Sequence, residues 1–327
     1  MTTTGPLKPA ANSVCGSPSP TLTYTTAAEF PQVPMSEITA RLPVEIERPI
    51  FECAAWQDRQ AAYDLQLVAH RVQSWIEPIL YSVVTLLEAD THTKRTGASS
   101  LNLFVRAFQL KTPEFFSCNV RHLCLNPMTS FEEEQALTIL RTCVNVENLS
   151  YGGSIYTWET VISILNSPRL RRLSAELPKP APTIQEFEKL APLMSKITHL
   201  DVLSVWPHPS VLALVPNLTH LALDFGERHE DNIPLLEALC NRETVRVVTF
   251  IVHTQSEVES GIVEGFSALE EVRFIPLLFE PDLVEADWMA SATGGKDMWW
   301  RAEETLKRRI RELRQFYNTL TFHEKDD

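Results

Sequence analysis

The chain has 327 residues, 44% hydrophobic and 22% charged, ordinary proportions for a folded protein with room for two domains or one elongated array. Its net charge of −13 and pI near 5.2 argue against nucleic acid and against an anionic membrane surface, since both need clustered cations. Six cysteines without a Cys-x-x-Cys pair, no basic-then-apolar leader and no apolar run of membrane-spanning length point to a reduced intracellular protein, cytoplasmic or nuclear.

Residues 1–35 are rich in Thr, Ser, Ala and Pro and nearly uncharged, which predicts a disordered tail, with Ser36 able to cap a first short turn. Residues 36–86 read as short helices and one strand. Pro43 suits a first helical turn, and Ile46, Ile50 and Phe51 follow on one face. After the polar break Gln57-Asp58-Arg59-Gln60, Leu65, Val68, Val72, Trp75 and Ile79 recur at helical spacing until Pro78 ends or kinks the helix. The β-branched run Tyr81–Leu86 predicts a strand. So short a segment buries little of its own apolar surface and must dock on the rest of the chain or on a partner. Residues 87–118 read as a polar loop followed by a helix over Leu101–Leu110.

From 119 to 285 a strand pattern of apolar-x-x-apolar-x-apolar recurs, with middle anchors Leu123, Leu149, Leu173, Leu200, Leu221, Val248 and Val272. The steps between them run from 21 to 27 residues, inside the leucine-rich-repeat window of roughly 20–29. Helices are predicted at Glu132–Thr142, Trp158–Leu165, Gln185–Leu193 and Ile233–Cys240, with a shorter one at 208–214. The Asn or Cys that follows the strand in regular leucine-rich repeats is missing, so an irregular stack is expected. The strands of an ordinary α/β domain are the other reading. Residues 286–327 carry Asp297 as a helix cap, then Trp300, Glu303, Leu306, Ile310, Leu313 and Tyr317 at helical spacing. This helix is expected to cover the last open core face of the stack; a partner-binding amphipathic helix is the alternative.

The stretch Leu42-Pro43-Val44-Glu45-Ile46, then Ile50-Phe51, then Leu65-Gln66-Leu67-Val68-Ala69-His70-Arg71-Val72 with Trp75, resembles an F-box. In layout the whole chain resembles the short F-box-like proteins of fungi, in which that motif leads into divergent leucine-rich repeats. The resemblance implies a non-catalytic substrate-recruiting subunit of a cullin–RING ubiquitin ligase. Leu42, Pro43, Ile46, Ile50, Leu65 and Val68 would then form the surface facing the ligase's adaptor protein, and the repeats would hold a protein substrate. Pro49 departs from the pattern and should kink the first helix. Two readings stay open beside it: a repeat scaffold for protein–protein interaction without ubiquitin-ligase association, and a helical cap over the first repeat. The expected fold is α/β: an irregular leucine-rich-repeat-like solenoid, preceded by a small helical F-box-like segment and closed by a C-terminal capping helix.

Residues flanking each middle anchor should project from the concave face of such a sheet. Among them His122, Arg172, His199, Asp201, His220 and Arg273 are the candidate substrate-protein contacts. With neighbouring strands about 4.8 Å apart, His199, Asp201 and His220 could also converge on a metal, but plain polar contact is the reading adopted, with no metal and no cofactor. No phosphate loop, nucleophile elbow or zinc-protease motif occurs, and no enzyme is expected.

Overall fold

A computed structural model describes residues 42–86, 100–126, 130–152, 167–175, 191–203, 206–224, 233–252, 272–278 and 284–323, with residues 185, 188, 189 and 280. Two compact units divide between Val44 and Glu45. Of the first, only Leu42, Pro43 and Val44 are described, all exposed.

The N-terminal helices are α1 (Val44–Gln57), α2 (Arg59–Leu65) and α3 (His70–Ser82). Asp58 starts α2 by accepting the amides of Gln60 and Ala61 at 2.8 and 3.2 Å. Their core is Ala55, Ala62, Val72, Ile76 and Leu80, against which Phe51, Leu65 and Trp75 pack. Helix α1 runs unbroken through Pro49, which removes only the bond to the exposed carbonyl of Glu45, free to take water instead. Helix α3 likewise runs past Pro78, so Tyr81 and Ser82 are helical and the strand expected from Tyr81 starts two residues later.

That strand, β1 (Val83–Leu86), opens one all-parallel sheet with β2 (His122–Leu125), β3 (Asn148–Tyr151), β4 (Arg172–Ala175), β5 (His199–Val202), β6 (His220–Asp224), β7 (Val247–Val252) and β8 (Phe274–Leu278). The eight strands lie side by side in sequence order. In register across the sheet run Val84, Leu123, Leu149, Leu173, Leu200, Leu221, Val248 and Phe274. The last anchor is therefore Phe274, two residues beyond the expected Val272, because residues 272 and 273 form a turn.

This row faces a continuous core shared with helices on one side of the sheet: α4 (Ser100–Ala107), α5 (Pro113–Asn119), α6 (Ser130–Thr142), α7 (Ala191–Met194), α8 (Val211–Leu214) and α9 (Ile233–Cys240). Ile139, Leu193, Leu212 and Leu239 carry the contact from successive helices. In the described crossovers strand and helix alternate, because period-2 apolar runs hand over to period-3.6 ones. Helix α5 was not anticipated; Thr112 caps it and Pro113 opens it. Among the expected helices, Trp158–Leu165 lies outside the described residues, as do residues 186, 187 and 190 of Gln185–Leu193, the tail and Ser36.

Side chains before the strands make bonds between successive strand–helix units. Asn145 donates to Ser117 O at 3.0 Å, Ser167 to Val146 O at 2.6 Å and Asn217 to Ser195 O at 2.6 Å. Arg242 donates to the carbonyls of Leu212 and Val215. Two further helices follow the sheet: α10 (Val284–Thr293), which was not anticipated, and α11 (Met298–His323). Among the described residues, no helix is long and apolar enough to cross a membrane.

Candidate functional site

Because side chains alternate across a strand, the residues flanking each anchor share the second face of the sheet. One row on it is His122, Asn148, Arg172, His199, His220 and Val247; the next is Cys124, Ser150, Ser174, Asp201, Ala222 and Thr249. The structure thus brings His122, Arg172, His199, Asp201 and His220 together on one face, as the strand pattern predicts. Arg273 is not with them. Its guanidinium donates to the carbonyls of Cys240 at 2.8 Å, Val245 at 2.7 Å and Arg242 at 3.0 Å, closing the end of α9.

The face is not open where the candidate contacts lie. The C-terminal helix was expected to cover the end of the stack; instead α10 and α11 lie across this second face. Helix α10 reaches the early strands, with Thr85 beside Met289 and Asn148 donating to Ser291 at 3.3 Å. Helix α11 packs on the late ones: Trp299 against Ala222 and Ile251, Ala302 against Val247 and Ile275. Its buried face thus turns on Trp299 and Ala302, while Trp300, read from the sequence as part of that face, is exposed.

Arg172 bridges the two helices, donating to Ser291 Oγ at 2.7 Å and Asp297 Oδ2 at 3.0 Å. The other oxygen of Asp297 accepts the Trp300 amide at 2.8 Å, the capping role its sequence position predicts. His199 and His220 stack with centroids 4.2 Å apart and planes 4° from parallel, and the edge of Trp299 closes over both. Burial holds both imidazoles below their ordinary range, His199 down to about 3. His220 Nε2 lies 3.2 Å from Glu303 Oε1, and its Nδ1 lies 2.8 Å from Thr219 Oγ1, whose own hydrogen goes to Thr198 O at 3.0 Å. The 3.2 Å contact to Glu303 would suit an ion pair, but desolvation is the larger influence, so we read a neutral ring. His122 is partly buried and depressed for the same reason; its Nδ1 has no partner among the described residues.

Between the sheet and the junction of α10 with α11 lies a cavity of about 250 Å³. Its floor includes Ser174 and Asp201, and its roof includes Asp287, Trp288, Trp299 and Arg301. Asp201 is 7% exposed; Oδ2 accepts from Ser174 at 2.7 Å, while Oδ1 has no partner among the described residues. Burial, reinforced by Asp224 and Asp287, pushes its carboxyl up to about 7 against the Ser174 hydrogen bond. The indole Nε1 of Trp288 is also buried without a partner there. Neither was foreseen as an orphan, because only the helices that cover the sheet make these atoms buried. Among the described residues no three His, Cys, Asp or Glu side chains are grouped to hold a metal ion, and the stacked imidazoles direct their Nδ1 atoms to Thr198 and Thr219.

Four of the six adaptor-facing candidates lie on or beside the N-terminal helices α1 and α2. Ile46 and Ile50 stand exposed on α1, Val68 is exposed in the turn after α2, and Leu65 is half-buried against the helical core. Leu42 and Pro43 are exposed in the preceding unit. No family model matches the chain, and no curated protein does either.

Proposed function

We propose that this chain is a non-catalytic binding protein of the F-box-like, leucine-rich-repeat type, using α1 to dock the adaptor of a cullin–RING ubiquitin ligase. The observation that carries this reading is a helix apolar on two opposite sides. Phe51 and Ala55 point into the helical core, while Ile46, Ile50 and Trp56 stand about half exposed on the other side. Exposed apolar groups gathered on one helix face mark a partner surface more than scattered ones do. Leu67, 81% exposed, and Val68 add apolar surface in the turn that follows α2.

From β2 on, one strand every 21 to 27 residues, in sequence order, supports a repeat array as the substrate-holding part. On this reading the substrate does not meet Arg172, His199 or His220 directly, because the chain's own helices occupy them. A second reading, a repeat scaffold without ligase association, draws on the same helical core. That core ties to the sheet through Arg59, which donates to Leu80 O and Val83 O at 3.0 Å each, as a purely structural cap would.

The test is calorimetric binding of the full chain to purified ligase adaptor. Ile46→Asp with Ile50→Asp should abolish binding and leave the melting temperature within a degree or two, since both side chains are exposed. No binding by the wild-type chain, or equal binding by the double variant, would leave the scaffold reading.

A further inference from the structure

The cavity beneath α10 and α11 carries an inference independent of the adaptor reading. Its charged wall groups are nearly all accounted for. Arg172 pairs with Asp297 at 3.0 Å, and Arg301 with Asp287 at 3.2 Å. Asp201 is the buried carboxylate left without a cation, and one of its oxygens makes no hydrogen bond among the described residues. A buried acceptor left unmade is costly, and a charged one more so, unless something bonds to it. Trp288 also lines the cavity, and its Nε1 is a buried donor without an acceptor among the described residues. Most of its wall surface is apolar, with the indoles of Trp288 and Trp299, Met298 and Ile251, beside polar groups such as Asn148, Ser150 and Glu280.

We infer that this cavity binds a small aromatic amine bearing an oxygen acceptor, its ammonium on Asp201 Oδ1, its oxygen on Trp288 Nε1 and its ring against the two indoles. An ammonium supplies the charge-assisted hydrogen bond that Asp201 lacks, and aromatic faces favour a cation beside them. An anion of the same size is disfavoured, because both guanidinium groups on the wall already hold carboxylates. Burial holds the Asp201 carboxyl near 7, so the cavity is best charged for an amine slightly above neutral pH.

The experiment is isothermal titration of the full chain with tyramine at pH 8, beside 3-(4-hydroxyphenyl)propionic acid, which carries a carboxylate in place of the ammonium. Tyramine should bind saturably and the acid should not. Asp201→Asn keeps the shape and removes the charge, and should weaken tyramine by about tenfold or more, the size of a lost charge-assisted bond. Trp288→Phe removes the donor and part of the ring surface and should weaken it by roughly two- to tenfold. Both variants are first checked for an unchanged far-ultraviolet circular dichroism spectrum. The inference falls if tyramine gives no saturable heat, if the acid binds as well, or if Asp201→Asn binds tyramine like the wild type.

Discussion

Arg172 Nη1 lies 3.0 Å from Asp297 Oδ2, joining a strand in the middle of the sheet to the cap of a helix 125 residues later. One carboxylate thus both starts α11 and fastens it to the face it covers. Arg172→Met should cost about 1–2 kcal/mol, because it strands a buried charge while leaving the cap in place. Asp297→Ala loses cap and pair together and should cost about 2–4 kcal/mol; Asp297→Asn, which still caps, should fall between. Urea titration gives the order. Hydrogen exchange should show the amides of α10 and α11 opening in Arg172→Met before those of β2 to β7.

Asp201 makes the protein more stable at mildly acidic pH. Its carboxyl rises from an ordinary 3.8 to about 7 on folding, so the protonated form is the one the fold prefers. The contribution is full below about pH 4, declines as pH rises and is gone above 7, a change on the order of a few kcal/mol. Asp201→Asn should remove it, leaving a variant more stable than the wild type at pH 8 and little different at pH 4. Equal pH profiles of melting temperature for the two proteins would refute the assignment.

The stacked histidines act in the opposite direction. Their imidazoles are depressed on folding, His199 from 6.5 to about 3, so the stability they contribute is full above 6.5 and lost as pH falls toward 3. Nuclear magnetic resonance should find the His199 ring uncharged at pH 5. His199→Gln should flatten the loss of stability between pH 6.5 and 4 without altering the Asp201 effect, since one change leaves the other group in place.

Arg273 fixes the junction of α9 with β7 and β8 through four carbonyls, the longest of its bonds 3.5 Å to Leu239. Arg273→Ala should cost about 2–4 kcal/mol by leaving those acceptors unsatisfied. Arg273→Lys should recover less than half, because a single ammonium cannot span the fork of a guanidinium. Chemical denaturation of the three proteins decides this.

The strands were readable because their alternation is local: Leu149 and Tyr151 enter the core and Asn148 and Ser150 leave it within four residues. The cap at Asp297 was readable for the same reason. What covers the second face was not. A row of His, Asn, Arg and Asp looks like a solvated surface, and nothing in it announces Trp299 and Ala302 from residues far along the chain. Polar rows are buried here by pairing with distant polar groups, Arg172 with Asp297 and His220 with Glu303, and such pairs leave no periodic trace. Arg273 was misplaced by the shift of the last anchor, which a turn decides rather than an apolar pattern.

The sheet precedes α10 and α11 in the chain, so it leaves the ribosome first, at about 5–20 residues per second. For some seconds Ala222, Val247, Ile251 and Ile275 form an uncovered greasy strip on a nascent protein whose opposite face is already packed. A premature stop codon between β8 and α11 would make that interval permanent. Such a fragment should keep the folded core and still be a chaperone client, sticking to its own kind through the strip that Trp299 and Ala302 never reach.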